Sequence, residues 1–138
     1  MNQEQIQLVQ STFGRVRNDA DGVASLFYGR LFEIAPDVRP MFRGDMTAQG
    51  RKLMTALALA VDSLTRLESL IPALESLGRK HVQYGVQDKH YDVVGEALLW
   101  TLEKGLGLAW TPETRDAWAT TYGIVASVMQ KAAAEAAA

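Results

Sequence analysis

The chain of 138 residues contains no cysteine. This absence excludes disulfides, thiolate metal sites, iron–sulfur ligation, thioether-linked cofactors and a cysteine nucleophile. A long apolar run is also lacking, because the longest largely apolar stretch, near residues 53–61, stops at Asp62. The N-terminal sequence MNQEQIQLVQ has neither the basic start nor the apolar core of a signal peptide. We therefore expect a cytoplasmic protein that is not inserted into a membrane.

An excess of charge of one sign is missing as well. The 14 Lys and Arg residues nearly balance the 16 Asp and Glu residues, for a net charge of −2. No basic surplus is available to neutralise nucleic-acid phosphates, and no acidic surplus indicates a disordered chain. The length suits one domain with its own core, and no linker or repeat divides it. We expect a single domain over residues 1–138 with no nucleic-acid partner.

Apolar residues recur at spacings of three and four almost throughout, whereas the alternation typical of strands is never sustained. This pattern predicts an all-α protein. Local signals give its helix starts and ends: a capping box of Asn2 with Gln5, a stop before Pro36, and a start at Gly44 and Asp45. The third helix is expected to end near Thr65.

Further signals complete the second half of the chain. Pro72 suits the first position of a fourth helix, which Gly85 ends, and Asp88 is predicted to cap the fifth. Gly105 and Gly107 terminate that helix, and the sequence Thr-Pro-Glu at 111–113 begins a sixth. A short proline-flanked helical turn at residues 36–42 brings the expected number of helices to six or seven. The alanine-rich end, KAAAEAAA, is expected to be a frayed helix terminus.

Two histidines carry most of the remaining chemistry. His81 and His90 lie nine residues apart across Gly85, so they do not share a helical face, and a two-histidine metal site at positions i and i+4 is excluded. A lone histidine on an apolar face is most often a core residue with satisfied hydrogen bonds, and the alternative is an axial metal ligand. His90 follows Asp88 and Lys89 at a polar helix start, so we expect it to be solvated or to cap the helix.

His81 favours the ligand interpretation because Leu74, Leu77 and Gly78 make its helical face apolar and small. A buried imidazole there needs partners. The Leu77 carbonyl, four residues earlier, can accept the ring N–H, and Tyr91 at the start of the next helix can help to orient the ring. A planar iron porphyrin suits an apolar slot with one neutral imidazole.

Three more residues are candidates for the wall opposite His81. Gln49 begins an inward stripe that continues through Leu53, although a surface glutamine near a helix start would look the same. Tyr28 needs a hydrogen-bond partner if it points inward. Phe42 is either a core aromatic residue or a ring stacked on a cofactor.

The order of these features resembles the globin family, and most closely the bacterial single-domain haemoglobins and the haem domains of flavohaemoglobins. The resemblance covers nearly the whole chain and begins at Tyr28. It continues through APDVRPMF at residues 35–42, QGRKLM at 49–54, GRKH at 78–81, HYDVVGEALL at 90–99, and residues 118–126. The P-x-x-R-P-x-F turn and the H-Y-x-x-V-G-x-x-L-L helix start are its most specific parts.

The resemblance implies a globin fold of six to seven helices around haem b, without the long separate D helix, since only six residues separate Phe42 from Gln49. It implies that His81 is the proximal iron ligand. Its other implied site residues are Phe42 stacked on the haem, Gln49 and Leu53 on the distal side, Tyr28 reaching in from the second helix, and Leu77 and Tyr91 beside His81. Lys52, Arg51, Arg79 and Lys80 are either propionate partners or solvated charges.

Two departures from the family pattern are visible. In flavohaemoglobins and their close relatives a tyrosine and a glutamate are commonly linked to the proximal histidine. Tyr91 is present here, but the place of the glutamate falls near Ala133. The flavin and nicotinamide reductase of flavohaemoglobins is not contained in these residues, so nitric oxide dioxygenation would need a separate reductase.

The resemblance leaves several functions open. The first is reversible binding of oxygen, or of NO or CO, at a pentacoordinate or weakly hexacoordinate iron, whose sixth partner would be Tyr28, Gln49, Lys52 or water. Hydrogen bonds from Tyr28 and Gln49 to bound oxygen would slow its release. The alternatives are a nitric oxide dioxygenase, a gas sensor that needs an output domain, and a helical interaction module without a cofactor.

Overall fold

The computed structural model describes residues 1–137, and it confirms an all-helical chain in which the described residues form no strand. Its six α-helices are α1 (Gln3–Val16), α2 (Ala20–Ile34), α3 (Met46–Asp62), α4 (Leu67–Gln83), α5 (Asp88–Leu106) and α6 (Pro112–Ala137). Short 3-10 turns occupy Arg17–Asp19, Pro36–Met41, Leu64–Arg66 and Gly107–Ala109. The alanine-rich end continues α6 as far as Ala137, and Ala138 lies outside the described residues.

Most helix boundaries follow from local chemistry. The Asn2 side chain accepts a hydrogen bond from the Gln5 backbone N–H at 2.8 Å, and Gln5 returns one to Asn2, as the capping box predicts. Asp45 caps α3 through the backbone N–H of Thr47. Gly85 and Gly107, with φ of +85° and +55°, end α4 and α5 in conformations that other residues rarely adopt.

The expected start of the fourth helix is wrong. The helix α4 begins at Leu67, and Pro72 lies inside it instead of at its first position. Leu70 and Leu74 are buried on the same stripe as Leu67, so tertiary packing favours the additional turn. Pro72 is exposed on the side of α4 opposite these leucines. It lies in the second turn of the helix, where its missing N–H removes a single helical hydrogen bond.

The start of α5 also differs from the prediction, by one residue. Gln87 is the N-cap and Asp88 is the first helical residue. The Gln87 backbone N–H donates to Nδ1 of His90 at 2.8 Å. The N–H of the N-cap residue is therefore paired with a side chain three residues downstream.

The helices pack as two layers that meet along α5 and α6. The helix α2 packs on α3 and α5, whereas α4 packs mainly on α6, with which α1 is also in contact. Gly78 makes the approach of α4 to α6 possible, because a Cβ atom there would overlap with the backbone of Met129. The helices α3 and α4 make few direct contacts with each other.

The hydrophobic core is accordingly divided into two clusters. The larger cluster joins α1, α2, α3, α5 and α6 around Phe13, Leu31 and Trp118. The smaller cluster joins α4, α5 and α6 around Leu74 and Met129 and also includes Ala60 of α3. Leu67 and Tyr122 pack against both clusters. Within residues 1–137, no helix is both long and apolar enough to span a bilayer.

Candidate functional site

His81 lies on α4 with its ring half-buried, and its orientation is set by its own helix. Nδ1 lies 2.7 Å from the carbonyl oxygen of Leu77. A carbonyl only accepts, so Nδ1 carries the hydrogen and donates it, and the lone pair of the neutral ring resides on Nε2. Burial lowers the pKa of His81, and the hydrogen bond to Leu77 opposes that shift. The residue is therefore a neutral imidazole whose Nε2 is suited to bind a metal.

Two tyrosines flank this imidazole. The Tyr91 ring is stacked beside it, with ring centres 6.4 Å apart and an interplanar angle of 29°. The Tyr84 ring lies 6.1 Å away on the solvent side and is 62% exposed. Tyr91 is only 7% exposed, and its hydroxyl has no hydrogen-bond partner among residues 1–137. Burial is also the main reason that the pKa of Tyr91 is raised.

The predicted opposite wall is aromatic at its centre. The Tyr28 ring packs edge-on against Phe42 at 5.2 Å and lies 5.9 Å from Phe32. Burial raises the pKa of Tyr28, and the Gln49 side chain, at the start of α3, partly offsets this shift through hydrogen bonding. Tyr28 is therefore protonated at neutral pH and can donate a hydrogen bond.

The structure thus assembles the predicted site residues in two groups. Tyr28, Phe42 and Leu53 belong to the larger core cluster, with Gln49 one turn before Leu53. Leu77 and Tyr91 belong to the smaller cluster, and both contact His81. Phe42, Leu53 and Leu77 are only half-buried although they adjoin the core. The helices α3 and α4, which carry Leu53 and Leu77, make few direct contacts with each other.

The charged candidates lie at the surface. Lys52 is exposed on α3, and its neighbour Arg51 forms a long ion pair with Asp21, at 3.8 Å. Arg79 and Lys80 are exposed on α4 directly before His81. None of these four side chains is buried. Arg51 and Lys52 directly precede Leu53 on α3, and Arg79 and Lys80 directly precede His81 on α4.

His90 is excluded from this site. It is 9% exposed and accepts the Gln87 backbone N–H, so the capping role is confirmed and the expectation of a solvated residue is wrong. Sequence reasoning also missed the role of Tyr122, which lies on α6. Its hydroxyl donates to the backbone carbonyl of Tyr91, and its ring fills the space above Gly95. The signal for this contact in the sequence is Gly95, because a Cβ atom at this position would overlap with the Tyr122 ring.

The available donors suit a metal ion whose other ligands are supplied by a cofactor. Among the described residues, no group of three or more His, Cys, Asp or Glu side chains can hold a metal ion. A single neutral imidazole flanked by the Tyr84 and Tyr91 rings suits an iron porphyrin, whose four ring nitrogens supply the other in-plane ligands.

Comparisons with known proteins agree with this chemistry. The Globin family model matches residues 25–129. The flavohemoprotein of Bacillus subtilis is 31% identical over 131 residues, which cover 91% of this chain and 32% of that protein. The flavohemoprotein of Vibrio cholerae is 29% identical over 131 residues, covering 93% and 33%. The chain therefore spans about a third of the length of these curated relatives.

A solved structure extends the similarity to the fold. A bacterial globin from Campylobacter jejuni superposes with a TM-score of 0.84 at 26% sequence identity, and the match covers 97% of both chains. Family membership implies haem binding and diatomic gas ligands. The family match includes Tyr28, Phe42, Gln49 and His81, and the fold match includes nearly every residue, so the chain belongs to the globin family.

Proposed function

We propose that this globin binds haem b through His81 and takes up oxygen reversibly. The observation that carries the proposal is the 2.7 Å hydrogen bond from His81 Nδ1 to the Leu77 carbonyl, in a ring that burial keeps neutral. That bond directs the lone pair of Nε2 away from the helix backbone. The absence of cysteine supports the non-covalent b type, and we propose a cytoplasmic location and a single domain over residues 1–138.

Other described residues contribute contacts to the haem, exclude water or orient His81. When bound, the haem supplies an iron atom that coordinates a diatomic gas such as oxygen, NO or CO. Phe42 would hold the haem by stacking, and Leu53 and Leu77 would provide apolar contacts and exclude water. Lys52 is positioned on the exposed side of α3, where it can pair with a propionate. Tyr91 stacks on His81 and limits the rotation of its imidazole.

Tyr28 and Gln49 determine how tightly the gas is held. The raised pKa of Tyr28 keeps its hydroxyl protonated, so it can donate to a ligand that carries partial negative charge. The Gln49 amide is a second donor, on a half-buried residue that is more accessible to water. We therefore expect slow oxygen release, with Tyr28 contributing more than Gln49.

The curated relatives favour a second candidate function, the dioxygenation of nitric oxide to nitrate. They are named flavohemoproteins and are about three times as long as this chain. Turnover requires electrons, so in this proposal a separate reductase is the partner.

The two functions can be distinguished with one preparation. Oxygen-equilibrated protein is mixed with nitric oxide, with and without a flavin reductase and its nicotinamide donor, and nitrate is quantified per haem. An oxygen-binding role predicts reversible oxygen equilibrium curves and about one nitrate per haem under both conditions. A nitrate yield many times the haem concentration, found only with the reductase, would instead establish the dioxygenase. Failure to bind oxygen at all would refute both.

A further inference from the structure

Arg39 is the exposed arginine of the P-x-x-R-P-x-F turn, and its side chain covers an aromatic ring. It lies on the 3-10 turn Pro36–Met41, and its guanidinium carbon is 5.0 Å from the centre of the Phe32 ring. A cation over the face of an aromatic ring is attracted by the ring quadrupole, and this attraction persists at exposed sites. Arg39 therefore fastens the turn to α2, the helix that carries Phe32.

Phe32 also belongs to the group of rings around Tyr28. The Phe32 ring is stacked on the Tyr28 ring, with centres 5.9 Å apart and an interplanar angle of 26°. It meets the Phe42 ring edge-on at 5.4 Å, and Phe42 in turn meets Tyr28 edge-on at 5.2 Å. The three rings form a closed triangle, so a shift of one ring changes the space available to the other two.

The backbone of Arg39 is bound to a second ring-bearing residue of this triangle. The backbone N–H of Phe42 donates to the carbonyl oxygen of Arg39 at 3.1 Å. Val38, the residue before Arg39, is 4% exposed and anchors the turn in the larger core cluster. Arg39 thus contacts Phe32 through its side chain and Phe42 through its backbone, and both of those rings contact Tyr28.

The direction of the Tyr28 hydroxyl depends on these ring contacts. The hydroxyl is the part of the side chain farthest from the backbone, so a tilt of the ring moves it most. Hydrogen bonds weaken steeply as the angle at the hydrogen departs from a straight line. A small movement of Phe32 therefore changes the strength of any hydrogen bond that Tyr28 donates.

We propose that Arg39 is a positioning residue for the hydrogen bond from Tyr28 to bound oxygen. Its exposed side chain acts through Phe32, which it holds against Tyr28 so that the hydroxyl keeps its orientation. An exposed residue then controls the rate of oxygen release. The inference rests on the proposed role of Tyr28 in oxygen binding.

The first test removes the charge of Arg39 and measures oxygen dissociation by stopped flow. Arg39→Met should raise the rate about two- to fivefold, the factor equivalent to an exposed cation–π contact, and Arg39→Lys, which retains a cation, should lie closer to the wild-type protein. In the Tyr28→Phe background, Arg39→Met should have no further effect. Unchanged oxygen release in Arg39→Met, or an increase that persists without the Tyr28 hydroxyl, overturns the proposal.

Arg17→Met is the matched control for this test. The guanidinium of Arg17 covers the Phe13 ring at 5.1 Å at the end of α1, and it also pairs with Asp62. A general loss of stability would therefore affect both arginine variants, whereas loss of positioning affects only Arg39→Met. A rise in the oxygen dissociation rate of the same size in Arg17→Met would contradict a specific role for Arg39.

The C–O stretching frequency of the ferrous carbon monoxide complex provides a spectroscopic readout. A hydrogen-bond donor directed at bound carbon monoxide lowers this frequency, so the infrared band reports the orientation of the Tyr28 hydroxyl. We expect the band to move to higher frequency in Arg39→Met and to stay in place in Arg17→Met. An unmoved band in Arg39→Met would contradict the proposal.

A third measurement does not depend on haem. In the haem-free protein, Arg39→Met, Phe32→Leu and the double variant form a cycle whose free energies of unfolding are measured with urea. A favourable coupling between the two positions supports the contact, and additive effects overturn the proposal. A wild-type protein without a Soret band would instead refute the proposed function, and this inference with it.

Discussion

A single backbone carbonyl determines the orientation of the His81 side chain. The Leu77 oxygen and the His81 ring are separated by one helical turn, so the contact is made as soon as α4 forms. Burial then favours the neutral ring. At the residue scale the His81 ring is therefore oriented within one helix, whereas the positions of Tyr28 and Tyr91 depend on tertiary packing.

Removal of the Tyr28 hydroxyl should accelerate oxygen release. Tyr28→Phe keeps the ring contacts with Phe42 and removes one donor, and loss of one such hydrogen bond corresponds to an increase of about tenfold in the dissociation rate. Gln49→Ala should have a smaller effect. The rate is measured by stopped-flow displacement of oxygen by carbon monoxide. Tyr84→Phe, on the solvent side of His81, is the matched control, and an unchanged rate in Tyr28→Phe would refute the role of its hydroxyl.

Two other tyrosines should respond in opposite ways when their hydroxyls are removed. Tyr91→Phe deletes an unpaired buried hydroxyl, so the free energy of unfolding should stay equal or rise. Tyr122→Phe deletes the donor to the Tyr91 carbonyl and should lower it by about 1 kcal/mol. Urea unfolding of the haem-free variants measures both. A clear loss of stability in Tyr91→Phe would show that its hydroxyl has a partner.

At the scale of helices, the close approach of α4 to α6 determines where His81 lies. His81 is one turn beyond Gly78, and Gly78 lies directly against the Met129 backbone. Displacement of α4 by a side chain at this contact would move the imidazole together with the helix.

Gly78→Ala should therefore lower both stability and haem affinity. The added methyl group would overlap with the backbone of α6, and overpacking of this kind costs about 1–3 kcal/mol. Gly123→Ala is the matched control, because Gly123 lies in open space on α6 and its replacement should stabilise the helix by up to about 1 kcal/mol. Thermal unfolding and transfer of haem to an apomyoglobin acceptor measure the two effects. Equal behaviour of the two variants would contradict the packing argument.

The sequence predicts those helix boundaries that depend on neighbouring residues. The capping box at Asn2 and the start of α6, where the Thr111 hydroxyl accepts from the Thr114 N–H, are both local. The start of α4 was mispredicted at Pro72 because the burial of Leu70 is decided by α6 and α5, which lie far along the chain. The same limit applies to the site. The contact between His81 and Leu77 was predictable, whereas the burial of Tyr91 depends on its packing against α4 and α6.

At the scale of the whole molecule, the division of the core into two clusters is the main feature. Both clusters contain residues of α3, α5 and α6, but the buried apolar residues of α1 and α2 belong only to the larger cluster and those of α4 only to the smaller one. A small domain with a divided core gains stability from a ligand that binds between the two clusters. Anything that binds only the folded state shifts the folding equilibrium towards that state by mass action.

Alkaline pH should destabilise the haem-free protein. Burial raises the pKa of Tyr28, Tyr91 and Tyr122 in the folded state above the ordinary value of about 10. Below pH 10 these groups are protonated in both states, and stability is fully present. As the pH rises above about 10, the unfolded chain loses these protons first, so the free energy of unfolding falls.

The measurement is urea unfolding between about pH 8 and pH 12. Tyr122→Phe, which removes one of the three groups, should show a shallower decline than the wild-type protein. A free energy of unfolding that stays constant or increases above pH 10 would be inconsistent with burial of these hydroxyls.

The most direct test of the central claim, that His81 is the protein ligand to the iron of a bound haem group, is the absorption spectrum of the purified protein in its ferric, ferrous and oxygen-exposed states. We expect a Soret band that shifts on reduction and shifts again, reversibly, with oxygen. His90→Asn, which retains a side chain able to cap α5, should preserve this behaviour, and His81→Ala should lose it. A wild-type protein without a Soret band, or an unchanged spectrum in His81→Ala, would contradict the claim.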